Sequence, residues 1–401
     1  MGLVGGNVIG EVISAVVKAK LSLVLGPRGF GRFSQALATA EVADGVAAFG
    51  LNQAGPVLGA EYPDQPGTFL GVVLALRSLV TLVVIGVGIY VAPLLIQSTP
   101  PFLLRFALLA LLFSPLAGTA NIPFFLKQEN WRIAWMPGAL AMLSSALLIL
   151  MMWLAPSVLY ALAIMVLVKA VNAGLVTVLS RTRYRYRFGF DRAIARRVAR
   201  VGPKAAWLDT VVILYSKASY FVLDSLGPVA LGIYSIADQI AAAILRLTGA
   251  VSATSLAMFA ELHAAGDIQG LRAFYLRTLR RIGLTLFVVG LVIFLLVPPA
   301  IHRWFTPYLS SLPVLYILYV GVCFMAVNQL TSSCLNGLGH FGWVATVATI
   351  NLFVYGVGAW LWVGPYEAAG AAMATTFMEG CNSFMQLSLL TYTLRKRIRR
   401  P

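Results

Sequence analysis

Ionisable side chains stand inside long apolar runs of this chain, among them Glu11, Lys18, Glu41, Asp44, Arg77, Lys169, Asp209, Lys217, Asp224, Asp238, Arg246 and Glu379. A charge surrounded by hydrocarbon is costly, so each needs a task or a partner. The cations Lys18, Lys217, Arg246, Arg77 and Lys169 suit an anionic group. The carboxylates Asp209, Asp238, Glu41, Asp44 and Glu379 suit a coupling proton or sodium ion, because a carboxyl group out of water holds a proton more tightly. Simpler roles compete. Lys18, Arg77 and Lys169 lie within reach of helix ends, where a long side chain can extend to headgroups. Lys217 and Arg246 lie deeper, and an ion pair with Asp238 or Asp209 is the alternative there. The acids could equally bond between helices. Cys323, Cys334 and Cys381 fall in apolar segments and read as small packing residues. The sequence shows no metal-ligand spacing and no nucleophile constellation, so no metal, cofactor or enzymatic chemistry is expected.

The elements carrying these residues are apolar. The chain is 60% hydrophobic and 11% charged, against about 25% charged in soluble domains. Its apolar runs often reach about 20 residues, the length that crosses a bilayer as a helix. They are continuous rather than alternating, which excludes barrel strands. Twelve helices are predicted, at 3–24, 33–59, 69–97, 102–126, 133–154, 157–180, 203–225, 231–260, 273–299, 310–336, 341–363 and 368–393. The expected fold is an all-α integral membrane protein of about twelve transmembrane helices. It divides into a six-helix lobe (1–180), a basic linker (181–202), a second six-helix lobe (203–393) and a basic tail (394–401). The net charge of +16 collects in loops on one side, including Arg181, Arg183, Arg185, Arg187, Arg192, Arg196, Arg197 and Arg200. That bias predicts both termini in the cytoplasm and explains the basic excess without nucleic acid. No cleaved signal peptide is predicted.

An internal repeat organises the two halves. Leu25-Gly26-Pro27-Arg28-Gly29-Phe30-Gly31-Arg32-Phe33-Ser34 aligns with Leu226-Gly227-Pro228-Val229-Ala230-Leu231-Gly232-Ile233-Tyr234-Ser235. Each segment joins the first and second helices of its half. Six helices separate the copies, an even number, so the repeat is parallel rather than inverted. Two parallel bundles imply a central cavity that rocking opens to each side in turn.

The Leu25–Ser34 segment, its second copy and the run Phe49-Gly50-Leu51-Asn52-Gln53-Ala54 resemble the Wzx-type polysaccharide flippases. These are members of the multidrug/oligosaccharidyl-lipid/polysaccharide (MOP) exporter superfamily, which also contains the MATE transporters. The resemblance implies a multi-pass protein of a bacterial inner membrane. Its implied cargo is an undecaprenyl-diphosphate-linked oligosaccharide, moved from the cytoplasmic to the periplasmic leaflet for surface polysaccharide assembly. Lys18, Lys217, Arg246, Arg77 and Lys169 would then bind the diphosphate. Membrane lipids, a polysaccharide polymerase and assembly proteins are the implied partners. A MATE-type ion-coupled drug or metabolite antiporter is the alternative. A membrane enzyme is disfavoured by the short outside loops, and no phosphate-cradling glycine loop for a nucleotide is present.

Overall fold

Proline and glycine set where the helices begin and break. The computed structural model describes residues 2–338 and 341–398. Its elements are α1 (Gly2–Ala47), α2 (Leu51–Gly59), α3 (Pro66–Leu95), α4 (Pro101–Leu108), α5 (Ser114–Leu126), α6 (Met136–Leu154), α7 (Val158–Tyr184), α8 (Arg192–Val222), α9 (Pro228–Ala264), α10 (Ile268–Trp304), α11 (Ser311–Gly337) and α12 (Phe341–Ile398), with short 3-10 turns between some of them. No strand occurs among the described residues. Pro66, Pro101 and Pro228 each open a helix, where the fixed φ suits the first turn and the missing N–H costs nothing. Two long helices are broken internally, α1 at Gly26 and α12 at Glu367 (φ 49°, ψ −123°).

Counting the arms of α1 and α12 singly, α2 with the second arm of α1 and α4 with α5 as single runs, gives the twelve segments expected. Nine helices among the described residues are long and apolar enough to cross a membrane. The difference of three has a simple origin. The two arms of α1 are not among the nine, and α12 contributes one long helix where the sequence has two arms. Large apolar side chains point outward along these helices: Leu94 is 75% exposed and Trp360 82% exposed. Such surfaces suit lipid rather than water.

The chain forms two compact units, residues 1–232 and 233–401. The first holds α1 to α8 and the opening turn of α9. Asp191 caps α8 by accepting from the Ala193 and Ile194 amides at 2.6 and 3.2 Å. That cap starts α8 at Arg192 rather than near 203. Ile194 and Val198 then enter a buried cluster with Leu51, Leu58, Phe69 and Leu70, and Arg197 pairs with Glu61 at 3.2 Å. Only residues 185–191 of the 181–202 segment lack helical structure. In the second unit α11 packs along α12, and the Tyr275 and Thr331 hydroxyls meet at 2.9 Å.

The sequence repeat has a backbone counterpart. Gly26 (φ 65°, ψ 171°) and Gly227 (φ 91°, ψ 174°) adopt nearly the same conformation, each followed by proline. Only glycine enters that region without strain. Gly26→Ala and Gly227→Ala are each expected to cost about 1–3 kcal/mol, measured as the drop in unfolding midpoint of detergent-solubilised protein. Four residues after each proline stands a second glycine. A Cβ on Gly31 would run into the Pro228 carbonyl oxygen, and one on Gly232 into that of Pro27. The two turns thus lie against each other through reciprocal glycine-to-backbone contacts. Asp224, 7% exposed, steadies this end by accepting from the Gln97 amide at 2.8 Å and the Ser98 amide at 3.2 Å, and from the Ser98 hydroxyl.

Candidate functional site

Glu41 and Asp44 are three residues apart on the second arm of α1, so they share one face. Lys217 of α8 reaches Glu41 Oε2 at 2.6 Å, and Lys169 of α7 reaches Asp44 Oδ2 at 2.7 Å. The Ser114 hydroxyl at the start of α5 donates to the other oxygen of Asp44. Lys217 Nζ also stands 5.7 Å from the centre of the Tyr220 ring. The four charges cancel. None is sealed in: their side chains are between 28% and 41% exposed. At 1.5 Å per residue, Lys169 lies about 16 Å from the start of α7. That is near the middle of a hydrocarbon layer about 30 Å thick. The cluster is therefore a set of paired, part-open charges at mid-depth in the first unit.

The structure brings together four of the ten predicted site residues and pairs the two proposed roles. Lys169 and Lys217, read as anion-binding cations, hold Asp44 and Glu41, read as coupling acids. Lys217 pairs with Glu41. Asp209 stands eight residues before Lys217 on the same helix, about 12 Å along it. The side chains of Asp209 and Glu11 lie outside the described residues. Lys18, on the first arm of α1, is half-buried.

Arg77 has a different setting. It is 2% exposed inside the first unit, and its Nη2 donates to Asn52 Oδ1 at 2.7 Å. Its guanidinium fills the space that a side chain at Gly118 would need. Arg77 thus ties α2 and α5 to α3 through its guanidinium.

Asp238 and Arg246 on α9, and Glu379 on α12, belong to the second unit. Asp238 is half-buried and Arg246 exposed. Glu379 is 3% exposed and receives two chains of hydrogen bonds. Asn328 Nδ2 donates to its Oε2 at 2.6 Å and to its carbonyl at 3.1 Å, and Asn382 Nδ2 donates to the same Oε2 at 3.2 Å. Behind them Ser383 donates to Asn328 at 2.7 Å, Gln386 to Asn382 at 2.7 Å, and Ser332 to Gln386 at 2.8 Å. Sequence reasoning singled out Glu379 but missed Ser383 and Gln386. Positions 379, 382, 383 and 386 form a polar stripe at helical spacing inside an apolar run, which is the signal that finds them. Glu379→Gln keeps an oxygen acceptor and is expected to change stability by less than about 1 kcal/mol. Glu379→Leu strands two amide donors and is expected to cost about 2–4 kcal/mol. Thermal unfolding of both variants checks this pair of outcomes.

The family described as polysaccharide biosynthesis protein matches residues 2–263. The chain belongs to that family. No curated protein matches it significantly. Among solved structures, this member of the family resembles lipid II flippase MurJ in an inward closed conformation, with TM-score 0.76 and 13% identity over 97% of this chain and 87% of that one. It also resembles an inward-facing multidrug resistance MATE family transporter of the MOP superfamily, with TM-score 0.72 and 13% identity over 96% and 99%. The MATE transporter VcmN of Vibrio cholerae, in its bent form, matches with TM-score 0.62 and 17% identity over 99% and 96%. The fold is thus that of the MOP-superfamily transporters, as the Leu-Gly-Pro repeat suggested.

Proposed function

We propose that this chain is a flippase for an undecaprenyl-diphosphate-linked oligosaccharide. It would carry this cargo from the cytoplasmic to the periplasmic leaflet of a bacterial inner membrane, both termini lying in the cytoplasm. The observation that carries the reading is the pair of mid-depth lysines, Lys169 and Lys217, each neutralised by a carboxylate rather than sealed in packing. A diphosphate brings two or more negative charges into a low-dielectric region and needs cations there. A lysine held by an exchangeable carboxylate can donate to phosphate oxygens without leaving a bare charge in the empty protein. Family membership and the likeness in fold to MurJ point the same way. In this reading Lys18 and Arg246 are further contacts for the diphosphate, Arg77 positions the helices behind the site, and residues 1–180 and 203–393 rock against each other. Asp209, Asp238 and Glu379 remain the candidates for ion coupling. A polysaccharide polymerase and assembly proteins would receive the product.

The MATE-like fold keeps an ion-coupled antiporter as the second reading, favoured by the membrane-embedded acids Glu41, Asp44 and Glu379. Depleting the protein in its native cell separates the two. The flippase reading expects complete polyprenyl-diphosphate-linked repeat units to accumulate in the cytoplasmic leaflet while surface polymer disappears. Unchanged lipid-linked sugars with heightened sensitivity to cationic drugs would replace it with the antiporter.

A further inference from the structure

The arginine-rich end of the first unit carries a pocket that the cargo site does not use. It has a volume of about 510 Å³ and is lined by Phe124, Trp131, Arg132, Trp135, Leu179, Thr182 and Arg183. At about 30 Å³ per water, it holds more than a dozen waters, the size of a headgroup rather than of a lone ion. The pocket lies where the end of α5, the 3-10 turn Asn130–Arg132 and the last turns of α7 converge.

Its charges are held in place by one acid. Glu129 accepts from Arg183 Nη2 at 2.9 Å and Nε at 3.2 Å, from Arg132 Nε at 2.9 Å, and from the Tyr184 hydroxyl at 3.0 Å. These contacts use three of the ten N–H donors that two guanidinium groups possess. The remaining donors are free to turn outward, since the Arg132 and Arg183 side chains are 38% and 49% exposed. The hydrogen bond from Arg183 is the main cause that holds the Glu129 carboxyl down at about 2, against an ordinary 4.5. A lowered carboxylate contributes its stabilisation above pH 4.5 and loses it as pH falls towards 2, so at neutral pH Glu129 stays charged. Two arginines and one glutamate leave a net charge of +1.

The rim is aromatic. Arg132 lies 4.5 Å from the centre of the Trp131 ring. Trp131 is 57% exposed and Trp135 44% exposed. Exposed tryptophans beside arginines at the end of membrane-spanning helices mark the headgroup level of a bilayer. A basic pocket between helices at that level suits an anionic lipid headgroup.

We propose that this pocket binds one anionic phospholipid of the surrounding bilayer. Its monoanionic phosphodiester meets the outward donors of Arg132 and Arg183, its headgroup lies over Trp131 and Trp135, and its acyl chains run along α5 and α7. The net charge of +1 matches one phosphodiester. Glu129 acts as the positioning residue that fixes both guanidinium groups before the lipid arrives.

The test uses the full chain purified in detergent and titrated with dioleoylphosphatidylglycerol or dioleoylphosphatidylcholine, with bound lipid counted by native mass spectrometry. One tightly held phosphatidylglycerol per chain is expected. R132Q/R183Q should weaken it about 30-fold, at roughly 1 kcal/mol per arginine. R277Q/R280Q, which removes equal charge from α10, should leave it in place. Trp131→Ala/Trp135→Ala leaves the Glu129 pairs intact and should also weaken the lipid. Equal binding of the two lipids, or equal loss in the two arginine variants, would overturn the site in favour of general surface charge. Displacement by excess inorganic phosphate would overturn it in favour of a free-anion site. If R132Q/R183Q does not fold, an unchanged lipid count in the tryptophan variant overturns it instead.

Discussion

Lys217→Gln will reduce transport at least about tenfold and also lower the unfolding midpoint, whereas Lys217→Gln/Glu41→Gln will regain the midpoint and not the transport. The first effect on stability follows from leaving Glu41 unpaired at mid-depth. Breaking a fully buried pair costs about 3–5 kcal/mol. These two side chains are 28% and 41% exposed, so water reduces the cost to about 1–2 kcal/mol. Removing both charges removes the stranded carboxylate, and with it the penalty. Transport separates the roles. If Lys217 served only to satisfy Glu41, the double variant would work normally. If it binds the diphosphate, the double variant stays inactive at normal abundance, and a loss of about 1.4 kcal/mol already accounts for tenfold. Glu41→Gln alone completes the set. It takes away the competitor for Lys217, so cargo binds more tightly and leaves more slowly: KM and maximal rate both fall. Lys169→Gln and Lys169→Gln/Asp44→Asn should follow the same pattern, with Ser114 softening the penalty at Asp44. Flipping measured in proteoliposomes, beside thermal unfolding of the same preparations, reads every arm. Normal transport in both double variants would end the proposal that these lysines touch the cargo.

The helices were legible in the sequence because a bilayer leaves few options. An apolar run of sufficient length must satisfy its own backbone, and a helix does so locally. The Leu-Gly-Pro repeat was legible for a related reason. Gly26 and Gly227 hold a backbone conformation closed to other residues, and Gly31 and Gly232 stand where the carbonyl of a facing helix passes. Such constraints act residue by residue and leave a signature at fixed spacing. The extent of α8 was less legible, because its basic first turns read as a loop until Ile194 and Val198 are seen to bury against α2 and α3. The pairing of Lys217 with Glu41 was hidden for a deeper reason. It depends on how α8 is rotated against α1, far away along the chain, and no local pattern records that angle. Arg77 shows the same limit from the other side. Its position inside an apolar run suggested a ligand contact, and only the packed structure shows Asn52 and Gly118 against its guanidinium.

Gly31→Val and Gly232→Val will each open the tip formed by the two Leu-Gly-Pro turns, and the double variant will be little worse than either one. Each glycine faces the carbonyl oxygen of the proline that opens the opposite helix. A branched side chain has nowhere to go there, because backbone cannot swing aside as a flexible side chain can. Overpacking of this kind costs about 1–3 kcal/mol. The two contacts belong to one surface, so the first wedge separates the turns and the second meets a gap. Neighbouring substitutions that share a surface are non-additive in this way. Transport should fall with the opening, because a carrier that cannot close one end loses the state in which cargo is shielded from that side. The readout is a cysteine at Ser34, 6% exposed, in a chain with Cys323, Cys334 and Cys381 replaced by alanine. In the parent protein a membrane-impermeant thiol reagent should label it slowly. Either valine variant should raise the rate by about tenfold or more, the change expected when about 1.4 kcal/mol of closing energy is lost. Gly29→Val, whose Cβ meets only the side chains of Leu25 and Val158, serves as the control and should leave labelling unchanged. Equal labelling in all three variants would mean that the reciprocal contact does not hold the tip closed.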